Sequence, residues 1–224
     1  MDEMITTYKV YVKTDENDII TAVNSSAFIS DTTGWTEIDE GIGDRYHHAQ
    51  GNYLDKFIVD ETGLYNYKLV DNKPVERTQE EKDIELFPSV LANKITELSK
   101  VCTQTIYKGT DVTLSDGTTE HFTFDQQDQL NISALALKLL MGATEVAWHE
   151  DDTTTQCRFY STEDANKIIN TLIAFKEYHI TYFRDLRIYV NTLTTKAEVD
   201  SITYGFSIPE DTKSDVLKEY ETQI

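Results

Sequence analysis

The stretch from Thr162 to Leu193, TEDANKIINTLIAFKEYHITYFRDLRIYVNTL, decides the fold because it predicts one uninterrupted helix. Apolar residues recur at alternating steps of three and four positions, and further apolar neighbours widen that stripe. The stripe consists of Ala165, Ile168, Leu172, Phe175, His179, Tyr182, Leu186, Tyr189 and Leu193, widened by Ile169, Phe183 and Val190. At ~1.5 Å per residue, such a helix spans roughly 48 Å. A stripe of this length needs a packing partner along all of it.

Two partners are open to this helix: other segments of the same chain, or another copy of it. The width of the stripe favours the same chain, because a self-contained coiled coil needs only two seam positions per heptad. Apolar segments such as Leu130–Leu140 also lie nearby in the sequence. We therefore expect the helix to pack mainly inside its own domain, with one edge offered to other proteins. Pairing of copies in a homo-oligomer is the alternative.

The bulk composition excludes several classes of partner. Forty acidic and twenty basic side chains among 224 residues give a formal net charge of −20. Nucleic acids and anionic lipids require the opposite sign, so we expect neither nucleic acid nor membrane as a partner. The sequence shows no signal-peptide pattern and no apolar run near the length of a membrane span. Cys102 and Cys157 alone form no disulfide framework or zinc site, which favours synthesis in a reducing cytoplasm.

The first 77 residues predict a small β-rich unit. A hairpin is indicated by alternating residues on both sides of an acidic turn, and two further strands follow. The four predicted strands are Tyr8–Lys13, Ile19–Val23, Trp35–Ile38 and Leu64–Val70. The last of them is expected to end at Asp71–Lys73, before Pro74. Trp35 is expected to fill the core of this unit, and Asp39–Asn52 is expected to be an ordered loop.

The next segment, residues 78–104, predicts a helical linker. Thr78–Glu85 is highly charged and can start a helix, but Pro88 is expected to interrupt it because proline lacks a donor and clashes with the preceding turn. Leu91, Ile95, Leu98 and Cys102 then mark one face of a second helix. Residues 1–77 and 105–224 are expected to fold separately on either side of this linker.

The C-terminal part, residues 105–224, predicts β-hairpins packed with helices. Asp116-Gly117 between alternating runs indicates one hairpin, and Glu145–His149 with Gln156–Tyr160 indicates another, joined by an acidic turn. A helix capped by Asp125 or Asp128 lies between the hairpins, and the long helix follows them. Thr195 and Glu198 predict a capping box, and a frayed helix is expected near Val216–Tyr220. The whole chain is therefore expected to be α+β.

No sequence motif indicates an enzyme. The chain has no Gly-x-Ser-x-Gly elbow, no phosphate-binding glycine loop and no His-Glu-x-x-His zinc motif. His47 and His48 lie near Asp44, but adjacent side chains rarely converge on one ion and no second histidine pair stands at ligand spacing, so they do not predict a metal site. His121, His149 and His179 are better explained as packing positions. We expect no catalytic residues, no cofactor and no metal.

Two stretches carry a resemblance to phage proteins. The first comprises Tyr8–Val12 (YKVYV), Thr33–Gly41 (TGWTEIDEG), Tyr46–Tyr53 (YHHAQGNY), Gly63–Val70 (GLYNYKLV) and Val75–Thr78 (VERT). It resembles an N-terminal module common in tail and baseplate proteins of phages that infect Gram-positive bacteria. The second comprises Phe122–Trp148, with Asp128–Ile132 (DQLNI), followed by Leu172–Tyr182. It is similar to a domain of phage tail-fibre-associated proteins.

The resemblance implies a structural component of a phage tail or tail-like particle, at the baseplate or the tail-fibre attachment. It implies tail, baseplate or fibre proteins as partners, and a location in the virion after synthesis in the bacterial host cytoplasm. Two alternatives remain: an acidic assembly chaperone for tail fibres, and a receptor- or glycan-binding tail protein. The expected contact surfaces are the aromatic loop Tyr46–Tyr53 and the long helix. Their candidate interface residues are Tyr46, His47, His48, Tyr53, Tyr178, Tyr182 and Tyr189.

Overall fold

The computed structural model describes residues 6–150 and 155–222. It confirms an α+β fold with small antiparallel sheets and two long helices. The chain divides into two compact units, residues 1–86 and 87–224, and each is described separately below. The division of the sequence at residues 77 and 104, and the independent folding of its parts, stay predictions.

A three-stranded antiparallel sheet forms the first unit. Its strands are β1 (Tyr8–Thr14), β2 (Ile20–Ser25) and β3 (Thr36–Gly41), in the order β2-β1-β3. The central strand alternates as the sequence predicts, and Val10 and Val12 are fully buried. Two short helices, α1 (Asp44–His47) and α2 (Ala49–Asn52), replace the predicted loop and lie over the sheet. The core consists of Val10, Val12, Ile20, Val23, Ala49, Tyr53 and Tyr67.

A second hairpin completes the strands of this unit, and it differs from the prediction. β4 (Tyr67–Val70) starts later than expected and ends at Val70 as predicted, and β5 (Lys73–Glu76), which includes Pro74, was not predicted. Asp71 and Asn72 both have positive φ, as a tight two-residue turn requires. Val70 pairs with Lys73 around that turn, so the next pair, Leu69 with Pro74, exchanges no hydrogen bonds. Proline therefore loses nothing at this position.

Trp35 is not part of the core, contrary to the prediction. Its side chain is half-buried, and the Lys13 ammonium lies 4.9 Å from the centre of the indole ring. The residue precedes β3 and belongs to the end of a polar turn, where its backbone N–H donates to the Thr32 carbonyl. A position before the strand is not held to the inward face of the sheet, which explains why the ring stays near the surface.

The helix α3 (Gln79–Lys108) corrects the prediction that Pro88 interrupts the linker helix. It begins in the first unit, passes through Pro88 and ends in the second unit. Proline removes the donor that would bind the Ile84 carbonyl. Ile84 and Pro88 are both exposed, so water can bind that carbonyl and the helix continues.

Charged residues in the first turns of α3 form a partly buried polar network with the loop that precedes β4. The Lys82 ammonium lies 2.7 Å from the Asp60 carboxylate and also donates to the Asn66 side chain. Lys82 and Asn66 are both buried. The hydrogen bond from Lys82, together with that from Thr62, lowers the pKa of the Asp60 carboxyl below its usual range. Because buried polar groups require partners, this network fixes the loop against the helix.

Replacing Lys82 with Met should destabilise the first unit by about 1–3 kcal/mol, because the buried Asn66 oxygen loses its donor. The pKa of Asp60 is lower in the folded than in the unfolded chain. The stability it contributes is therefore present above about pH 4 and is lost as the pH falls. Urea unfolding at neutral and acidic pH measures both effects. Lys73→Met, at an exposed lysine, is the control and should change the free energy of unfolding little.

In its described residues, the second unit contains two hairpins and four helices after α3. The hairpins are β6 (Thr110–Thr113) with β7 (Thr119–Phe122), and β8 (Glu145–Trp148) with β9 (Arg158–Ser161). The helices are α4 (Gln126–Leu140), α5 (Thr162–Val190), α6 (Lys196–Ser201) and α7 (Asp215–Glu221). Capping boxes form at Asp125 with Asp128 and at Thr195 with Glu198. Residues 151–154 of the predicted acidic turn lie outside the described residues.

A glycine joins α3 to the first hairpin. Gly109 has a φ of +75°, and a Cβ atom at this position would lie 1.7 Å from the Phe122 carbonyl oxygen. Any side chain would therefore clash with β7 as well as strain the backbone. This close approach brings the start of β6 directly beside β7 at the end of the helix.

The helix α5 confirms the predicted long helix and its burial inside its own unit, ending three residues earlier than expected. Its first half packs with α4, both hairpins and the last turns of α3, through Ala165, Ile168, Ile169 and Leu172. Its last turns form a different cluster with Leu98 of α3 and with the segment Ile202–Leu217, through Tyr182, Leu186 and Val190. Between the two clusters, Phe175, Tyr178 and His179 are only half-buried.

Leu172→Ala should destabilise the second unit by about 2–5 kcal/mol, because this fully buried side chain fills the first cluster. Ile188→Ala on the same helix is the control, since Ile188 is 57% exposed, and it should have little effect. Thermal unfolding of both variants measures the difference. Equal melting temperatures for Leu172→Ala and the unaltered protein would contradict the assignment of this face as core.

Candidate functional site

The first candidate surface is an aromatic patch on the N-terminal unit, formed by Tyr8, Phe28, His47 and His48. The ring of His47 packs edge-on against Tyr8 at 4.7 Å and against Phe28 at 5.2 Å. The ring of Phe28 also lies 5.5 Å from that of His48. Phe28 is 53% exposed although it is one of the larger apolar residues of this unit. We call these four residues the histidine patch.

One carboxylate fixes the histidine patch. Asp44 accepts from the His48 ring at 2.5 Å through one oxygen, and from the Asn52 amide at 2.6 Å through the other. The hydrogen bond with His48 lowers the pKa of the Asp44 carboxyl below its usual value. The other ring nitrogen of His48 lies 3.2 Å from His47 Nδ1. This Asp–His pair therefore orients the rings of the histidine patch.

The two tyrosines predicted near this patch have different surroundings. Tyr46 packs its ring on Gly41, where a Cβ atom would lie 2.4 Å from the ring. Tyr53 is buried in the core, and its hydroxyl donates to the Asp39 carboxylate at 2.9 Å. Burial raises the pKa of Tyr53, so its hydroxyl stays protonated. Tyr53 is therefore removed from the candidate surface. Tyr46 stays near it, with its ring packed against Gly41.

The second candidate surface is a groove along the middle of α5, which we call the α5 groove. It has a volume of about 630 Å³, which lies in the range of small-molecule sites. Four rings line it together with neutral amide and hydroxyl groups. These residues include Phe175, Tyr178, His179 and Tyr220, with Asn170 and Thr171. The groove occurs where α5 passes from one apolar cluster to the other.

His179 is the only titratable imidazole of the α5 groove, and its surroundings keep it neutral. Its Nδ1 lies 3.0 Å from the Tyr204 hydroxyl, and its ring packs 4.4 Å from Phe175. Burial lowers the pKa of His179 below its usual value. Burial likewise raises the pKa of the Cys102 thiol, which donates to the His179 carbonyl. The thiol stays protonated, so this cluster has packing chemistry and no activated nucleophile.

Of the predicted α5 tyrosines, one is buried and two are partly exposed. Tyr182 is buried, and its hydroxyl donates to the Phe206 carbonyl and accepts from the Gly205 N–H, each at 2.9 Å. It is therefore removed from the candidate surface. Tyr178 lines the α5 groove, and Tyr189 stacks on Phe206 at 5.4 Å. Their role as contact residues stays a prediction, as it does for Tyr46, His47 and His48.

Several residues of these surfaces were missed by the sequence reasoning. Phe28 lies in a stretch rich in Ser, Thr and Asp, and a large ring in such a loop is a signal that could have been used. Asp44 was considered beside the histidine pair only as a possible metal ligand, although its spacing of one helical turn to His48 also predicts a contact between the two side chains. Tyr220 and Thr110 join the α5 groove only through tertiary structure, and no local pattern indicates them.

The described residues contain no group of three or more His, Cys, Asp or Glu that could hold a metal ion. In the same ranges, no helix combines the length and the apolar composition that a bilayer crossing needs. No protein-family model matches the chain, and no curated protein or solved structure matches it. The resemblance to phage tail proteins therefore stays a prediction.

His179→Gln should make the protein less sensitive to mild acid. The folded protein holds His179 neutral, while the unfolded chain binds a proton below about pH 6.5. Stability contributed by the neutral ring is therefore lost as the pH falls through and below that value. Tyr204, Tyr178 and Cys102 around it have raised pKa values and do not titrate in this range.

Melting temperatures measured from about pH 8 to pH 5 test this effect. If His179→Gln and the unaltered protein lose stability equally on acidification, the burial of His179 does not have the assigned consequence.

Proposed function

We propose that this protein is a structural component of a phage tail or tail-like particle, at the baseplate or the tail-fibre attachment. The observation that carries the proposal is the match between the resembling stretches and the packed units. The first stretch, residues 8–78, lies inside the unit 1–86, and the second, residues 122–182, lies inside the unit 87–224. Each resemblance therefore covers secondary structure with a core of its own.

Exposed apolar surface supports a role in protein–protein contacts. α4 and the residue that follows it carry four exposed apolar side chains, Leu130, Leu137, Leu140 and Met141, which are between 60% and 86% exposed. Three of them, Leu130, Leu137 and Met141, follow helical spacing and form a stripe without a partner among the described residues. Contiguous apolar surface of this kind marks interaction sites. The histidine patch is a second such surface, on the other unit.

The charge of the chain is consistent with the same role. A formal charge of −20 keeps a protein soluble at the high local concentration of an assembling particle. Within this proposal the partners are other tail, baseplate or fibre proteins, and copies of the same chain are a further option. The protein is made in the host cytoplasm, acts in the virion and performs no catalysis.

Purified particles test the proposal most directly. Quantitative mass spectrometry of gradient-purified particles should find the protein at a fixed copy number per particle. Presence in the infected cell but absence from the particles would identify an assembly chaperone instead.

A patch variant makes this test specific. Phe28→Ser, in the histidine patch, should lower incorporation into particles because it removes exposed apolar contact area. Val75→Ser, at a valine that is 41% exposed on β5 of the same unit, is the matched control. Equal incorporation of both variants would remove the histidine patch from the interface.

A second function, recognition of a glycan, is favoured by the α5 groove alone. Its rings offer apolar faces to a sugar, while Asn170 and Thr171 offer neutral hydrogen-bonding groups. Binding to a panel of bacterial wall glycans that is lost in Tyr178→Ala would favour this function over the structural one.

A further inference from the structure

A second groove of the C-terminal unit differs from the α5 groove in charge. It lies between α3, the start of α4 and the later turns of α5, and has a volume of about 490 Å³. Its apolar surface comes from Ile106 and Tyr107 of α3 and from Ile180 and Phe183 of α5. Arg184 and Arg187 form the basic part of its lining, so we call it the arginine groove. On α5 it faces roughly half a turn away from the α5 groove.

The two arginines of this groove have no anionic partner in the described part of the chain. The chain has five arginines, and the other three donate to carbonyls or carboxylates. Arg45 binds the Tyr53 carbonyl, Arg77 binds Glu85, and Arg158 binds Glu120. Arg184 and Arg187 are both exposed. The chain has twice as many acidic as basic side chains, so most basic groups should find a carboxylate. Two neighbouring arginines that have none among the described residues therefore need an explanation.

The geometry of the arginines limits what they can bind. They lie three positions apart on α5, which places their side chains on one face about one helical turn apart. The Arg187 guanidinium lies 5.8 Å from the centre of the Phe183 ring, so the positive charge of the groove lies directly beside its apolar surface. Guanidinium groups bind carboxylates through two parallel hydrogen bonds. The matching ligand has carboxylates one turn apart beside an apolar side chain.

We propose that the arginine groove binds a segment of a partner protein that carries two carboxylates about one helical turn apart beside an apolar side chain. The net charge of −20 repels long polyanions such as nucleic acid, whereas a short segment meets mainly the local charge of the two arginines. Arginine is also among the residues that contribute most to protein interfaces. The inference goes beyond the proposed function, because it rests on the residues of the arginine groove and does not require the partner to be a tail protein.

A displayed library of random short peptides, selected on the whole protein, tests the proposal without knowledge of the partner. We expect enriched peptides to carry two acidic residues one helical turn apart next to a Leu, Ile or aromatic residue. A synthetic peptide of the enriched sequence is then titrated by fluorescence polarisation. Its Kd should rise by about tenfold or more in Arg184→Glu/Arg187→Glu, because two charge-assisted contacts become repulsive.

A matched charge control separates the groove from the overall field. Lys73→Glu/Lys138→Glu changes the formal charge by the same amount at two exposed lysines outside the groove, and it should leave the Kd within about twofold. Arg184→Gln/Arg187→Gln is measured as well, in case the charge reversal unfolds the protein, and it should also weaken binding. Circular dichroism establishes that each variant is folded.

Several outcomes would overturn the proposal. Enriched peptides without acidic residues, or no enrichment over the bare support, would show that the groove does not select this chemistry. Equal weakening in the lysine control would mean that only long-range charge acts. Equal competition by a DNA oligonucleotide or by phosphatidylserine vesicles would indicate a general anion site. Dissociation of an oligomer by Arg184→Glu/Arg187→Glu would identify a second copy of the chain as the occupant.

Discussion

Burial of the α5 stripe is the constraint on which the C-terminal unit depends. A helix of 29 residues is about 43 Å long. Burying each of its large apolar side chains stabilises the folded chain by roughly 1.5–3 kcal/mol relative to leaving that side chain in water. In the described residues, α3 contributes to the burial of both halves of α5, and the other partners differ from one half to the other. The chain meets the requirement with two clusters in succession. The first adds α4 and the hairpins to Cys102 and Ile106 of α3, and the second adds the C-terminal segment to Leu98 of the same helix. Polar contacts secure the second cluster, since buried Asp185 accepts from the Ser214 N–H at 2.7 Å and Tyr182 binds the backbone at Gly205.

Local signals predicted most of the fold, and tertiary structure decided the rest. The period of the α5 stripe, the capping box at Thr195 and the Asp-Gly hairpin are local, and each appears in the structure. Pro88 was misjudged because its cost depends on whether the Ile84 carbonyl can reach water, which the sequence does not show. β5 was not predicted, and Pro74 is tolerated in it because hydrogen-bonding and non-hydrogen-bonding positions alternate along a hairpin. Trp35 was placed in the core because large rings usually fill cores and because it adjoins a short predicted strand, but the strand begins only at Thr36.

The candidate surfaces were less predictable than the fold. Tyrosine combines an apolar ring with a polar hydroxyl, so its presence does not show which part is exposed. Tyr46 and Tyr178 remain near the surface, whereas Tyr53 and Tyr182 use their hydroxyls to satisfy buried partners. Two tyrosines that are close together in the sequence can therefore differ, one lying in the core and the other near the surface. The grooves are harder still, because Tyr220 and Tyr107 reach them from helices far away in sequence.

Gly109 has a consequence for the evolutionary history of the chain. Positive φ and the approach of the Phe122 carbonyl act at the same position, so relaxing one of them leaves the other in force. Surface side chains, such as those that line the grooves, can be substituted one at a time during evolution. This glycine can change only if the helix end and the hairpin move together. In distant descendants of the same ancestor, a glycine between a long helix and a short hairpin should therefore persist as a fixed register point for alignment.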